Sequence, residues 1–398
     1  MNQRRSFDPY SLVLLAFLLG LLSVSISRLG TSYKVIEIGD SHFDVGLVAG
    51  AFGALAVFIA VPIGRAVDRF GERRFFLIGA GILLLSNVVA WASHSVAGLV
   101  LSQALLGLGQ AGIALSTQTL AAHAPTALDA DGRFAGVAMM QSISQLVGPL
   151  IGGAAIGAMA APLLAGSGLA YLLGSLCSLV AMGIGLRTVR SSSRPRVDIS
   201  STPVSILSIL RGEGVAGALI ASASVLVSID ILVAYLPVLG EERGMSPGFV
   251  GLLLAMRAGA GLLARPATTP LLHRFGRRGV LVGTLLLMAL SMAAIPVSSS
   301  PLLLLVALAV VGFGINLGAP LTASWMAAGV TPDAKGAALA LRMSANRGAQ
   351  IAVPALLGAL ASGAGTGALF LAMGAGLVLT SQLVRLTLRP TGVQTSEA

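Results

Sequence analysis

The chain has 398 residues, 56% of them apolar and only 10% charged, with a mean hydropathy of +0.92. A soluble fold of this length cannot bury that much apolar surface, so lipid must be its main solvent. A formal charge of +10 would also suit a nucleic-acid binder, but the cations are placed as membrane topology places them, and no nucleic-acid partner is expected.

A bilayer core about 30 Å thick needs roughly 20 apolar residues per helical span. About twelve such runs follow one another, at residues 11–29, 45–63, 75–92, 96–120, 134–159, 168–186, 215–239, 248–268, 280–297, 302–326, 337–361 and 367–386. The first follows Arg4 and Arg5, is long enough to span and lacks a small-x-small cleavage site, so it is expected to be retained rather than removed as a signal peptide. The 50 glycines read as packing, because small residues let membrane helices approach closely. Cys177 is the one cysteine, which excludes an internal disulfide and a cysteine metal cluster. His42, His94, His123 and His273 fall on separate loops, so no zinc site or catalytic triad is implied. Neither a cofactor, a metal nor an enzymatic activity is expected.

Threading the runs alternately across a membrane puts 18 of the 25 Lys and Arg on one side and 3, Arg28, Lys34 and Arg243, on the other. Arg257, Arg265, Arg342 and Arg347 fall inside runs. The positive-inside rule then makes both termini and the central loop cytoplasmic, in a plasma or inner membrane. One shift of 205 residues aligns three places in the two halves. Arg69-Phe70-Gly71 maps to Arg274-Phe275-Gly276, Gly107 and Gly109 to Gly312 and Gly314, and Gln145, Pro149 and Gly153 to Gln350, Pro354 and Gly358. Residues 187–214 between the halves are rich in Ser, Arg and Pro, the composition of a linker. The expectation is an all-α integral membrane protein of 12 transmembrane helices. Two pseudo-symmetric six-helix bundles, 1–186 and 215–398 with a short tail, are joined by a cytoplasmic linker, with a solute site between them. One such chain holds its own pathway, so it is expected to work as a monomer.

Between the second and third runs lies Gly64-Arg65-Ala66-Val67-Asp68-Arg69-Phe70-Gly71-Glu72-Arg73-Arg74, a tight turn in which one carboxylate is set among arginines. This resembles the G-x-x-x-D-R-x-G-x-R-R loop signature of the major facilitator superfamily. The resemblance, with the repeat, covers essentially the whole chain. It implies a cytoplasmic gate comprising Gly64, Asp68, Arg69, Gly71 and Arg73, with His273 and Arg274 from the second copy, in which Asp68 meets the N-terminal end of the eleventh helix, where the helix dipole favours an anion. The second copy has His273 before Arg274 where the first has Asp68, so its latch is degraded or pH-dependent. In the fifth run, Gly148-Pro149-Leu150-Ile151-Gly152-Gly153 resembles the G-P-x-x-G-G signature of proton-coupled drug exporters in the same superfamily; its proline and glycines permit a bend and close contact. The fourth run departs from the exporter pattern, with Gln103 where many exporters have an arginine before G-x-G. Its Gly107-Leu108-Gly109-Gln110-Ala111-Gly112 matches the dinucleotide fingerprint only in letters, since no strand precedes it.

Of 15 acidic residues, Asp230 alone falls well inside a run. Arg257 and Arg347 fall at similar depth. Charges there cost roughly 2.5–3.5 kcal/mol each, so all three are expected to face the bundle interior, with Asp230 paired to Arg257 or Arg347. Arg265 and Arg342 lie nearer the run ends, where long stems reach the interface. Polar residues at helical spacing, Gln103 and Gln110, Gln141 and Gln145, Asn316, and Arg342, Asn346 and Gln350, are candidate walls of a water-filled cavity. Asp230 is the candidate proton-coupling group, against the alternative of a static pair that fixes packing.

The expected activity is secondary transport of a small organic solute by alternating access, as proton-coupled efflux of a drug-like compound or metabolite. The alternative is proton-coupled uptake of a small organic anion, motivated by the interior arginines. A receptor or enzyme on the same scaffold has no soluble domain or catalytic cluster to support it.

Overall fold

A computed structural model describes residues 9–38, 41–55, 71–122, 126–158, 166–188, 209–210, 212, 214–330 and 335–388. Among these the backbone is helical with short connections and no strand. The helices are α1 (Pro9–Ile38), α2 (His42–Leu55), α3 (Glu72–Ala92), α4 (Val96–Ala122), α5 (Ala127–Gly157), α6 (Ser167–Thr188) and α7 (Val215–Glu242). Then comes Pro247–Val297, which Gly276 with φ 66° and ψ 167° breaks into α8 (247–275) and α9 (277–297). The chain continues with α10 (Pro301–Ala328), α11 (Lys335–Ala364) and α12 (Thr366–Thr387). With Pro247–Val297 taken as one, nine helices among the described residues are long and apolar enough to cross a membrane.

Local chemistry sets several starts. The Thr126 hydroxyl accepts from the Asp129 amide at 3.1 Å and donates to the Asp129 carboxylate at 2.7 Å, capping α5. Ser300 caps α10, followed by Pro301 in the first turn, where a missing N–H costs nothing. The helix end expected near Leu29 falls at Ile38, because Gly30 packs on the Ala170 side chain of α6 instead of ending the helix. Arg28 is therefore ten residues inside α1 and stacks on the Phe52 ring at 4.3 Å.

Contacts divide the described residues into two compact units: those within 1–40, 51–199 and 240–255, and those within 41–50, 200–239 and 256–398. In the first, α1 packs along α5 and α6, and α3 lies against α4 and α6. Phe17, Leu21, Phe76, Leu83, Leu106 and Ile113 form its core. In the second, α11 lies against α10 and α12, and Ala264, Val280, Leu317 and Leu321 form a smaller core. The start of α2 packs with the second unit and the start of α8 with the first.

The 205-residue repeat recurs in space. A side chain on Gly107 would run into the Phe52 carbonyl, and one on Gly312 into the Arg257 carbonyl; both members of the pair shift by 205. Gly71 and Gly276 both take positive φ, 90° and 66°, at the starts of α3 and α9, where a side chain would be strained. Arg73 donates to the Leu186 carbonyl at the end of α6, and Arg278 to the Arg385 carbonyl near the end of α12. These arginines satisfy carbonyls that a helix C-terminus leaves without partners.

Candidate functional site

The second unit holds a chain of polar groups deep in its helices. Asp230 of α7 is 3% exposed. Gln350 Nε2 of α11 donates to Asp230 Oδ2 at 2.7 Å, and Arg347 Nη1 donates to Gln350 Oε1 at 3.2 Å. Residues 347 and 350 share a helix face because i and i+3 are neighbours. The sequence pointed to Asp230 paired with Arg257 or Arg347; the geometry also places the Gln350 amide between Asp230 and Arg347. An amide fits there because it donates at one end and accepts at the other. The carboxylate makes the first of these bonds charge-assisted, and the guanidinium the second.

Around this chain the α11 row divides its labour. Arg342 does not reach outward: Nε donates to Ser222 Oγ at 2.8 Å and Nη2 to the Ala319 carbonyl at 3.0 Å, tying α11 to α7 and α10. Asn346 is 5% exposed, and its Oδ1 has no hydrogen-bond partner among the described residues. That oxygen is a vacant acceptor beside the Arg347–Gln350 pair. Asn316 Nδ2 donates to the Gly312 carbonyl of its own helix at 3.1 Å. Arg257 is buried on α8.

The first unit spends its polar groups on itself. Gln103 Nε2 donates to Thr31 Oγ1 at 2.7 Å, and the Tyr171 hydroxyl donates to the same oxygen at 3.2 Å. Asn87 Nδ2 donates to Ser23 Oγ at 3.1 Å, Ser178 Oγ to Ser23 Oγ at 2.8 Å, and Ser27 Oγ to the Asn87 amide oxygen. This buried seam joins α1, α3, α4 and α6 by interhelical hydrogen bonds. Gln103 is thus buried and bonded to α1, while Gln110 and Gln141 are half-buried and Gln145 is exposed.

The α5 motif glycines face two neighbours. Side chains on Gly148 and Gly152 would meet Ser25, Ile26 and Leu29 of α1, whereas one on Gly153 would meet Pro247 and Gly251 at the start of α8. The helix continues through Pro149 from Ala127 to Gly157. Of the expected gate, Gly64, Asp68 and Arg69 lie outside the described residues. Arg73 is engaged at the end of α6, and His273 and Arg274 are exposed. Among the described residues no group of three or more His, Cys, Asp or Glu could hold a metal ion.

Sequence reasoning missed Tyr235. Its hydroxyl reaches the His42 carbonyl at 2.9 Å and the Pro354 carbonyl at 3.1 Å, within the second unit, so it joins α7, the start of α2 and α11. The available signal was a tyrosine in an apolar helix, whose hydroxyl must find an acceptor. Tyr235→Phe removes the donor and keeps the ring. We expect a loss of roughly 0.5–1.5 kcal/mol in the thermal stability of the purified protein, with faster amide hydrogen exchange at the first turns of α2.

The family model described as Major Facilitator Superfamily matches residues 12–246 and 218–397. An uncharacterized MFS-type transporter of Bacillus subtilis, YddS, is 29% identical over 297 residues, covering 68% of this chain and 66% of that protein. An uncharacterized transporter of Buchnera aphidicola is 29% identical over 94 residues, covering 23% of this chain. The match spans about a quarter of that relative's length, 24%. Among solved structures, the nucleoside transporter NupG, as a D323A mutant, superposes with a TM-score of 0.79 at 13% identity, covering 96% of this chain and 100% of that one.

Proposed function

Because the chain belongs to the major facilitator superfamily, we propose that it is a secondary transporter, not an enzyme, which moves a small organic solute by alternating access and couples it to protons. Twelve spans are reached from the nine apolar helices by counting α8 and α9 separately and adding α2 and the more polar α11. In this reading the termini are cytoplasmic, the membrane is the cell membrane, and a single chain suffices.

The observation that carries the reading is the Asp230–Gln350–Arg347 chain. Protonating Asp230 removes the anion on which the chain ends and weakens the charge-assisted bond from Gln350. Gln350 is then freer to turn its amide, which loosens the bond that Arg347 donates to it. A proton at Asp230 is thereby converted into a change at Arg347 and at the vacant Asn346 oxygen beside it, where a solute would sit. Competition of this kind between proton and solute is what exchange requires. Efflux is the favoured direction because Gly148, Pro149, Gly152 and Gly153 match the exporter signature.

A thermal-shift screen of the purified chain against drugs and organic anions identifies a ligand, since binding to the folded state raises the melting temperature. Vesicles carrying opposite proton gradients then give the direction. Solute accumulating in the acidic compartment supports exchange; accumulation only when solute and protons move together overturns efflux and gives uptake of an anion through Arg347.

A further inference from the structure

The second unit also carries an apolar groove of about 600 Å³ between α8, α9 and α10, within the roughly 300–1,000 Å³ usual for small-molecule sites. Leu263, Phe275, Gly279, Leu287, Val306 and Phe313 are among its walls. It is open to the outside: Leu263 is 69% exposed and Phe275 57%. From Gly279 to Leu287 it follows α9 inward for about 12 Å at 1.5 Å per residue.

Its mouth is cationic. Gly276 turns the chain between α8 and α9, and a turn between two membrane helices lies at headgroup level. There the Arg274 guanidinium lies over the ring of Phe275, a groove wall, at 5.5 Å, with Arg277 and Arg278 just beyond. Arg278 is engaged with the Arg385 carbonyl, which leaves Arg274 and Arg277 to define the charge of the mouth. No carboxylate answers them from the groove walls, because Pro247–Val297 and Pro301–Ala328 contain no Asp or Glu. A deep apolar slot ending in arginines, with no carboxylate on its walls, fits an amphiphile with a long hydrocarbon chain and an anionic head.

We propose that this groove is a binding site for one anionic phospholipid, with an acyl chain between α8, α9 and α10 and its phosphate at Arg274 and Arg277. The site is separate from the Asp230–Gln350–Arg347 chain and stands or falls independently of the transport reading.

The test uses the purified full chain, stripped of lipid in detergent and titrated with phosphatidylglycerol or phosphatidylcholine of identical chains, with native mass spectrometry counting what is retained. One phosphatidylglycerol is expected to be held about tenfold or more tightly than phosphatidylcholine, the order produced by two arginines near an anionic headgroup. Arg274→Gln with Arg277→Gln should abolish the preference. Gly283→Phe, which points into open space in the groove, should remove the retained lipid of either kind. Equal retention of the two lipids, an unchanged preference in the arginine variant, or unchanged retention in the groove-filling variant each overturns the proposal. The arginine variant alters only the surface, so it reports even where the groove-filling one does not fold.

Discussion

Asp230→Asn is expected to slow solute movement driven by a pH gradient in proteoliposomes, while solute exchange without a gradient continues. Asparagine keeps the size of the side chain and an acceptor oxygen for Gln350 Nε2, now 2.7 Å away, so the fold has little reason to change. What it lacks is a proton to gain or lose. Losing a charge-assisted bond is worth about 1.5–3 kcal/mol, which sets a fall in gradient-driven rate of roughly 10- to 100-fold. Asp230→Glu, which restores the charge on a longer arm, should recover part of it. Gln350→Met keeps the volume and cuts the link to Arg347; it should lower the coupled rate with Asp230 intact. Unchanged gradient-driven flux in Asp230→Asn removes that carboxylate from the coupling role.

The second large effect is expected at Gly251. A Cβ there would drive into the Pro149 carbonyl of α5, and valine cannot rotate away from a backbone atom. Overpacking of this kind costs about 1–3 kcal/mol, so Gly251→Val should lower the melting temperature of the purified protein by several degrees and slow transport. Gly248, three residues earlier on α8, has nothing within 4 Å of its Cβ position, and Gly248→Val should leave both quantities near wild type. Gly46 stands in the same relation to the Pro354 carbonyl, one repeat earlier than Gly251, and Gly46→Val should behave like Gly251→Val. Equal behaviour of Gly248→Val and Gly251→Val would mean that this close approach of α5 and α8 is not maintained in solution.

Much of the site was legible at the level of residues but not of partners. Asp230 stood out because an acid inside an apolar run has no cheap explanation. Gln350 was marked by its spacing on α11, yet nothing in the spacing says that its amide lies between Asp230 and Arg347 rather than facing a cavity. Gln103 shows the same limit in reverse. Its place in a polar row suited a cavity wall, and the fold spends it on Thr31. Arg28 was read at the outer end of the first run, which was ended at Leu29, whereas α1 runs on to Ile38 and holds that arginine over Phe52.

Composition alone determined that this protein lives in lipid, since no arrangement of 398 residues with so few charges could hide its apolar surface from water. The shift of 205 residues pointed to a repeat, and the same shift relates the close approach of Gly107 to Phe52 and of Gly312 to Arg257. Tertiary structure decided the rest: that Gln350 links Asp230 to Arg347, that Tyr235 joins three segments, and that the start of α2 packs with the second unit and the start of α8 with the first. The physical reason is one of range. Hydropathy and helical period are properties of neighbouring residues, whereas a hydrogen-bond partner more than a hundred positions away depends on how each helix is rotated and against which neighbour it packs.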